Sequence, residues 1–365
     1  MTPAGQPARQ RVGPLLRLAP AATIALMLGP VAAGLAGTML PAFGYLPALG
    51  GTRVSLDPFH SLAGEPGLVR SLMLSLCTGL CATLTAFFLV VIFTARFEGS
   101  RAFAALKRAL SPVLAVPHAA AAFGLAFLVA PSGFAMRLVS PWATGFERPP
   151  DVLVIGDPLG IAMTAGLAIK EMPFLFLMLL AALPQTDSER SRQMATSLGY
   201  RPVAAWLKTV LPQAYPQIRL PVFAVIAYST SVVDVALILG PTTPAPLAVR
   251  LVGWMNDPDI SMRFVASAGA LLQLAVSAGA IGLWILGERL VARLRRRTYA
   301  SGRRGFAERP LALVAGLAVP LALLSLYAGL GLLALWSLAG PWRFPEAVPA
   351  YLTFSTWSRH LGEAT

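Results

Sequence analysis

Apolar residues in this chain gather in blocks of about twenty instead of alternating or marking one face of a helix. Seven blocks stand out, at roughly 18–40, 68–94, 109–130, 159–183, 220–240, 264–288 and 311–339. Each is close to the ~20 residues that a helix needs to cross a bilayer. The pattern predicts an all-α polytopic membrane protein with about seven transmembrane helices. The first block follows Arg9, Arg11 and Arg17, as a secretory signal would. Pro30 and Pro41, and the lack of a clear cleavage site, favour an uncleaved first helix.

Composition sharpens this picture by exclusion. Charged residues make up 12% of the 365 positions and apolar ones 56%, with a mean hydropathy of +0.68. A soluble surface carries roughly 25% charge, and disorder requires low hydrophobicity; both are out. Three His and two Cys leave little for a metal centre or a disulfide framework. There is no G-x-x-x-x-G-K-[ST] phosphate cradle and no H-E-x-x-H, so no catalytic residue and no cofactor is expected in this chain.

The net charge of +13 gains meaning from where it sits. With a cytoplasmic N-terminus, inside segments hold 20 of the 29 Lys and Arg, including the cluster from Arg289 to Arg309, and outside segments hold 8. Lys170 lies within the fourth block. That is a positive-inside bias, and it directs the basic surface at lipid headgroups, not nucleic acid. The chain then divides into four regions: 1–67 (N-terminus, first helix, outside segment), 68–291 (a core with a cytoplasmic loop at 184–219), 292–310 (a basic loop) and 311–365 (the seventh helix and a second outside segment).

The loop at 184–219 has more local order than a connection needs. Thr186 and Glu189 have capping-box spacing, Gly199 suits a helix end, and Pro202 suits the first turn of a second helix. That second helix offers Val203, Trp206 and Leu207 as an apolar face. Two readings fit: a docking element with an exposed aromatic, or an amphipathic helix lying on the membrane.

The loop resembles that of the inner-membrane permeases of binding-protein-dependent ABC importers. Their pattern is E-A-A, three residues, G, nine residues, I, any residue, L-P. Gln193, Met194 and Ala195, then Gly199, then Thr209, Leu211 and Pro212 stand at those places. Ala195, Gly199, Leu211 and Pro212 match, while Gln193, Met194 and Thr209 depart. The resemblance implies that the short helix around Gly199, Tyr200, Arg201 and Trp206 docks on a separate ABC ATPase subunit, which uses the ATP. It also implies a periplasmic substrate-binding protein, a second permease half or copy, and an inner-membrane location. Lys170-Glu171-Met172-Pro173-Phe174 resembles the subgroup that handles thiamine, ferric iron, sulfate and polyamines.

A slide of 298 residues pairs the first block with the seventh. Pro41 with Pro341, Gly64 with Gly362 and Glu65 with Glu363 then agree within two residues. On this reading Thr365 corresponds to Gly67, and the chain is the first half of a fused double permease with the start of the second. The alternative is a complete permease with an added seventh helix, pairing with itself or a sister chain.

Ionisable residues inside spans tend to be paired or functional. Lys170 and Glu171 are adjacent, about 100° apart on a helix, so they face different partners. One expectation pairs Lys170 with Asp234. Another places Asp234, Ser229 and Ser231 along the translocation path with Lys170 and Glu171. His118 is expected to hydrogen-bond across helices, and Cys77 and Cys81 to pack. The function expected is a permease subunit of an ATP-driven importer. An ion-coupled secondary transporter using Lys170, Glu171 and Asp234 is the rival, and a non-transporting scaffold a second.

Overall fold

The computed structural model describes residues 14–300, 302 and 304–363. Arg9, Arg11, Arg303 and Thr365, which entered the charge and repeat arguments, lie outside them. Fifteen α-helices follow in order among the described residues: α1 Pro14–Ala42, α2 Asp57–Ala63, α3 Leu68–Phe97, α4 Arg101–Leu114, α5 His118–Val129, α6 Phe134–Val139, α7 Ile161–Ala182, α8 Ser188–Ser197, α9 Pro202–Thr209, α10 Leu211–Ser231, α11 Asp234–Leu239, α12 Leu247–Met255, α13 Met262–Ala300, α14 Glu308–Leu338 and α15 Ser355–Glu363. No strand occurs among the described residues, only the isolated bridges Leu46–Gly51 and Ala339–Leu352. The chain is an all-α, polytopic membrane protein.

Among the described residues six segments are long and apolar enough to cross a membrane: Leu18–Ala42, Leu68–Phe97, His118–Val139, Ile161–Gln185, Met262–Ala300 and Glu308–Leu338. The expected count of seven is therefore not confirmed. The block at 220–240 is broken. Val232 leaves helical geometry at ψ 137°, so α10 stops and the six-residue α11 begins at Asp234. The block at 109–130 is also redrawn. Ser100 accepts a hydrogen bond from the Phe103 amide and starts α4, which ends before Pro117. Phe103, Leu106, Leu110 and Val113 bury one side of α4 while Arg101, Lys107 and Arg108 stay exposed. Such a one-sided helix lies along a bundle instead of crossing; the third span begins at His118.

The chain divides into two compact units. One comprises residues up to Glu65 with Leu251–Leu272; within it the Phe43 and Phe59 rings meet at 5.4 Å. The other comprises Pro66–Arg250 with Gln273–Thr365 and holds the main core. There α3 packs on α7 and α10, and α14 packs on α5, α3 and α4. Phe93, Phe103 and Phe176 form an aromatic centre at ring separations of 5.3–6.5 Å. Cys77 and Cys81 sit on the exposed face of α3, so they do not pack in this core as expected.

α14 approaches α5 through glycine. A Cβ on Gly124 would lie 2.7 Å from the Gly329 carbonyl carbon, and the reverse contact is equally close. Small residues at such a crossing let two backbones touch, which is how membrane helices gain packing energy without a hydrophobic drive. At the end of the bundle remote from α8 and α9, Arg137 is 5% exposed and donates to the carbonyls of Ser132, Arg343 and Glu346 at 2.8–3.1 Å. Trp336, Trp342 and Phe344 surround its guanidinium at 5.1–5.7 Å.

Candidate functional site

The segment from Leu183 to Pro212 folds as the glycine and proline signals suggest, but it is held in a way they do not show. α8 starts at Ser188, with Asp187 before it and no side-chain cap. The expected capping box is not formed, because the Thr186 hydroxyl donates to the Leu183 carbonyl at 2.7 Å. The end of α8 is as expected. Gly199 has φ +84°, the Tyr200 amide donates to the Ala195 carbonyl at 3.1 Å, and the Gly199 amide to Thr196 at 2.9 Å. This paired closure uses the left-handed backbone that only glycine adopts without strain. The chain then re-enters a helix at Pro202, whose missing N–H costs nothing at that position.

Two carboxylates that spacing alone does not reveal fix α9 in place. Glu308, at the start of α14, accepts the Val203 and Ala204 amides at 3.1 and 2.8 Å. It does what a capping residue in α9 itself would do. Glu98, just past α3, accepts the Trp206 indole N–H at 2.8 Å and the Ser188 hydroxyl at 3.0 Å. Arg192 approaches the same carboxylate at 4.0 Å. Arg201 completes the fixing from the other side: its amide donates to the Arg304 carbonyl at 3.0 Å and its guanidinium to the Phe306 carbonyl at 2.8 Å. Each of the two carboxylates is an acid within a basic stretch, Glu98 after Arg96 and Glu308 before Arg309. That contrast was the available signal.

Trp206 is thereby turned inward. It is 0% exposed, as is Val203, and both belong to the main core. The expectation of an exposed aromatic is overturned: α9 uses its apolar face to sit on the bundle. Tyr200 is half-buried, with the Lys208 ammonium 4.8 Å from its ring centre. Ala195 is buried, and Leu211 and Pro212 are half-buried at the start of α10. α10 is tied to α13 by Arg219 on Glu288 at 2.8 Å, while Tyr215 donates to Glu288 and accepts from Trp284. What remains open is the outer face of α8. Met194 is 56% and Leu198 63% exposed, beside exposed Arg190 and Gln193. An open cleft of about 540 Å³ runs along it, lined by Glu98, Pro184, Asp187, Glu189, Arg190 and Gln193.

Neutralising Glu308 tests this construction. Glu308→Gln removes a charge-assisted cap, so the protein in nanodiscs should lose about 1–2 kcal/mol of stability in thermal melts. Trypsin should then cut faster at Arg201 and Arg304. Unchanged cleavage would show that α9 is held without the carboxylate.

The intramembrane groups are arranged differently from the expectation. Lys170 does not reach Asp234; its ammonium donates to the Val113 carbonyl at 3.1 Å, at the end of α4, where a helix terminus favours a cation. Glu171 instead meets His118, with Oε1 3.1 Å from Nε2. That contact crosses from α7 to α5, as expected for His118. Ser229 is fully buried and its hydroxyl has no partner, while Ser231 donates to the Ala227 carbonyl of its own helix. Neither serine meets Asp234 through these hydrogen bonds.

No family model matches the chain. Over 245 residues, which cover 67% of this chain and 45% of the relative, it is 29% identical to the inner membrane ABC transporter permease protein YnjC of Escherichia coli strain K12. The resemblance seen in the loop therefore extends along the sequence. This chain is similar to an ABC transporter permease. It spans less than half the length of that relative.

Proposed function

We propose that the chain is the permease subunit of an ATP-driven importer of the inner membrane. It supplies one half of the translocation pathway and takes its drive from a separate ATPase that binds along α8. The similarity to an inner-membrane ABC permease supports a transporter over an enzyme, and six apolar helices fit a permease. The observation that carries the coupling is the loop itself: α8 and α9 are fixed by Glu98, Glu308 and Arg201, yet α8 leaves Met194 and Leu198 in the open. Met194 and Leu198 lie one turn apart on this otherwise polar element, and a partner covering them would remove both from water. The basic end of the bundle is cytoplasmic in this reading, a binding protein delivers the solute at the opposite end, and a second permease half completes the pore. Thiamine, ferric iron or a similar small solute fits the subgroup resemblance.

The test is purification of the full chain from its native membrane. Wild type should carry a P-loop ATPase and hydrolyse ATP. Met194→Glu with Leu198→Glu should lose at least about tenfold of both, since a buried contact of this size is worth about 1.4 kcal/mol or more, while insertion and melting stay unchanged. Wild-type protein free of any ATPase would sink the importer and raise the ion-coupled transporter in its place.

A further inference from the structure

Four groups that play no part in the coupling loop meet where α5, α7, α10 and α11 converge. Glu171 is paired with His118 at 3.1 Å, the His118 ring lies 4.6 Å from the Tyr228 ring, and Asp234 lies within electrostatic reach of Tyr228. Glu171 is buried at 5% exposure, whereas His118, Tyr228, Ser231 and Asp234 are half-buried. The cluster therefore opens onto one face of the bundle. Tyr228 and Ser231 share that face of α10 with exposed Ala224, as residues three and four apart do.

The charge balance of this face leans negative. Glu171 and Asp234 are carboxylates, His118 can offset at most one of them, and Lys170 is turned to the Val113 carbonyl. The break after Ser231 adds to it, because the C-terminal end of a helix carries partial negative charge. Facing hydrocarbon, each ionised group would cost roughly 2.5–3.5 kcal/mol on insertion scales. A half-open polar face at a broken helix is tolerated where it lines water or protein.

We propose that this face is a wall of the translocation pathway and that the solute passing it is positively charged. Asp234 and Glu171 attract the cation, and the Tyr228 ring offers it a π surface. The inference rests on the permease reading and narrows its small solute to a cation.

Charge-selective labelling in membrane vesicles tests it on the full chain. Cys77 and Cys81 are first replaced by Ala; Ser231→Cys is then exposed to a cationic and an anionic methanethiosulfonate reagent. The cation-to-anion rate ratio is normalised to Thr242→Cys on the exposed loop after α11. Ser231→Cys should show a ratio about tenfold above that reference, and adding Asp234→Asn should remove most of the preference. Ala224→Cys, on the same face, should repeat the result if Ser231→Cys fails to insert. Equal ratios would overturn the cationic substrate, and no labelling at either position would overturn the water-lined wall. A charge preference in a chain that binds no ATPase would retain the pathway and reject the importer; ATPase binding without the preference would do the reverse.

Discussion

Trp206→Ala should cost about 3–5 kcal/mol, the range for truncating a fully buried aromatic. Trp206 is 0% exposed and fills the seam between α9 and the main core. Its loss opens a cavity and also leaves Glu98 without its indole donor. The expected outcome is a marked drop in protein recovered from the membrane and a lower melting temperature in nanodiscs. Trp206→Phe separates the two causes: it keeps most of the volume and loses the N–H, so its penalty should fall to about 1.5–3 kcal/mol. Equal melting for wild type and Trp206→Ala would mean that α9 is not part of the core.

The second large effect is expected at the crossing of α5 and α14. Gly124→Leu places a Cβ within 2.7 Å of backbone atoms of Gly329, and backbone cannot rotate aside as a side chain can. The helices must separate, at a cost of about 3 kcal/mol or more for overpacking of this kind. Because Glu308 rides on α14, separation should also loosen α9, so faster trypsin cleavage at Arg201 should accompany the lower melting temperature. A polar surface change such as Arg101→Gln should do neither. Gly124→Leu protein with wild-type melting and cleavage would show that α14 is dispensable for packing.

The contrast between these residues shows what a sequence reveals. Block lengths located the spans around α1, α3, α7, α13 and α14, because the bilayer imposes a length on any crossing helix. They misplaced the third span because α4 and α5 are both apolar enough to read as one block, although Pro117 divides them. They joined α10 to α11 because composition carries no trace of the Val232 break. Within the loop, Gly199 and Pro202 were legible, as each answers to backbone geometry alone. Trp206 was not, because helical spacing identifies an apolar face but not what covers it, and its partner Glu98 lies 108 residues earlier in the chain. Lys170 and Asp234 were misjoined for the same reason: two ionisable groups in one membrane suggest a pair, while the end of α4 offered Lys170 a nearer acceptor.

Both ends of α14 are secured by buried charge. At its start Glu308 grips two amides of α9; just past its far end, Arg137 grips the carbonyls of Arg343 and Glu346 inside an aromatic box. A helix of 31 residues spans about 46 Å at 1.5 Å per residue. Held at both terminals and seated on α5 about two-thirds of the way along, at Gly329, it cannot slide along its axis or turn without breaking one clamp. It behaves as a tie-rod, joining the seat of α9 at one end of the bundle to the Arg137 clamp at the other.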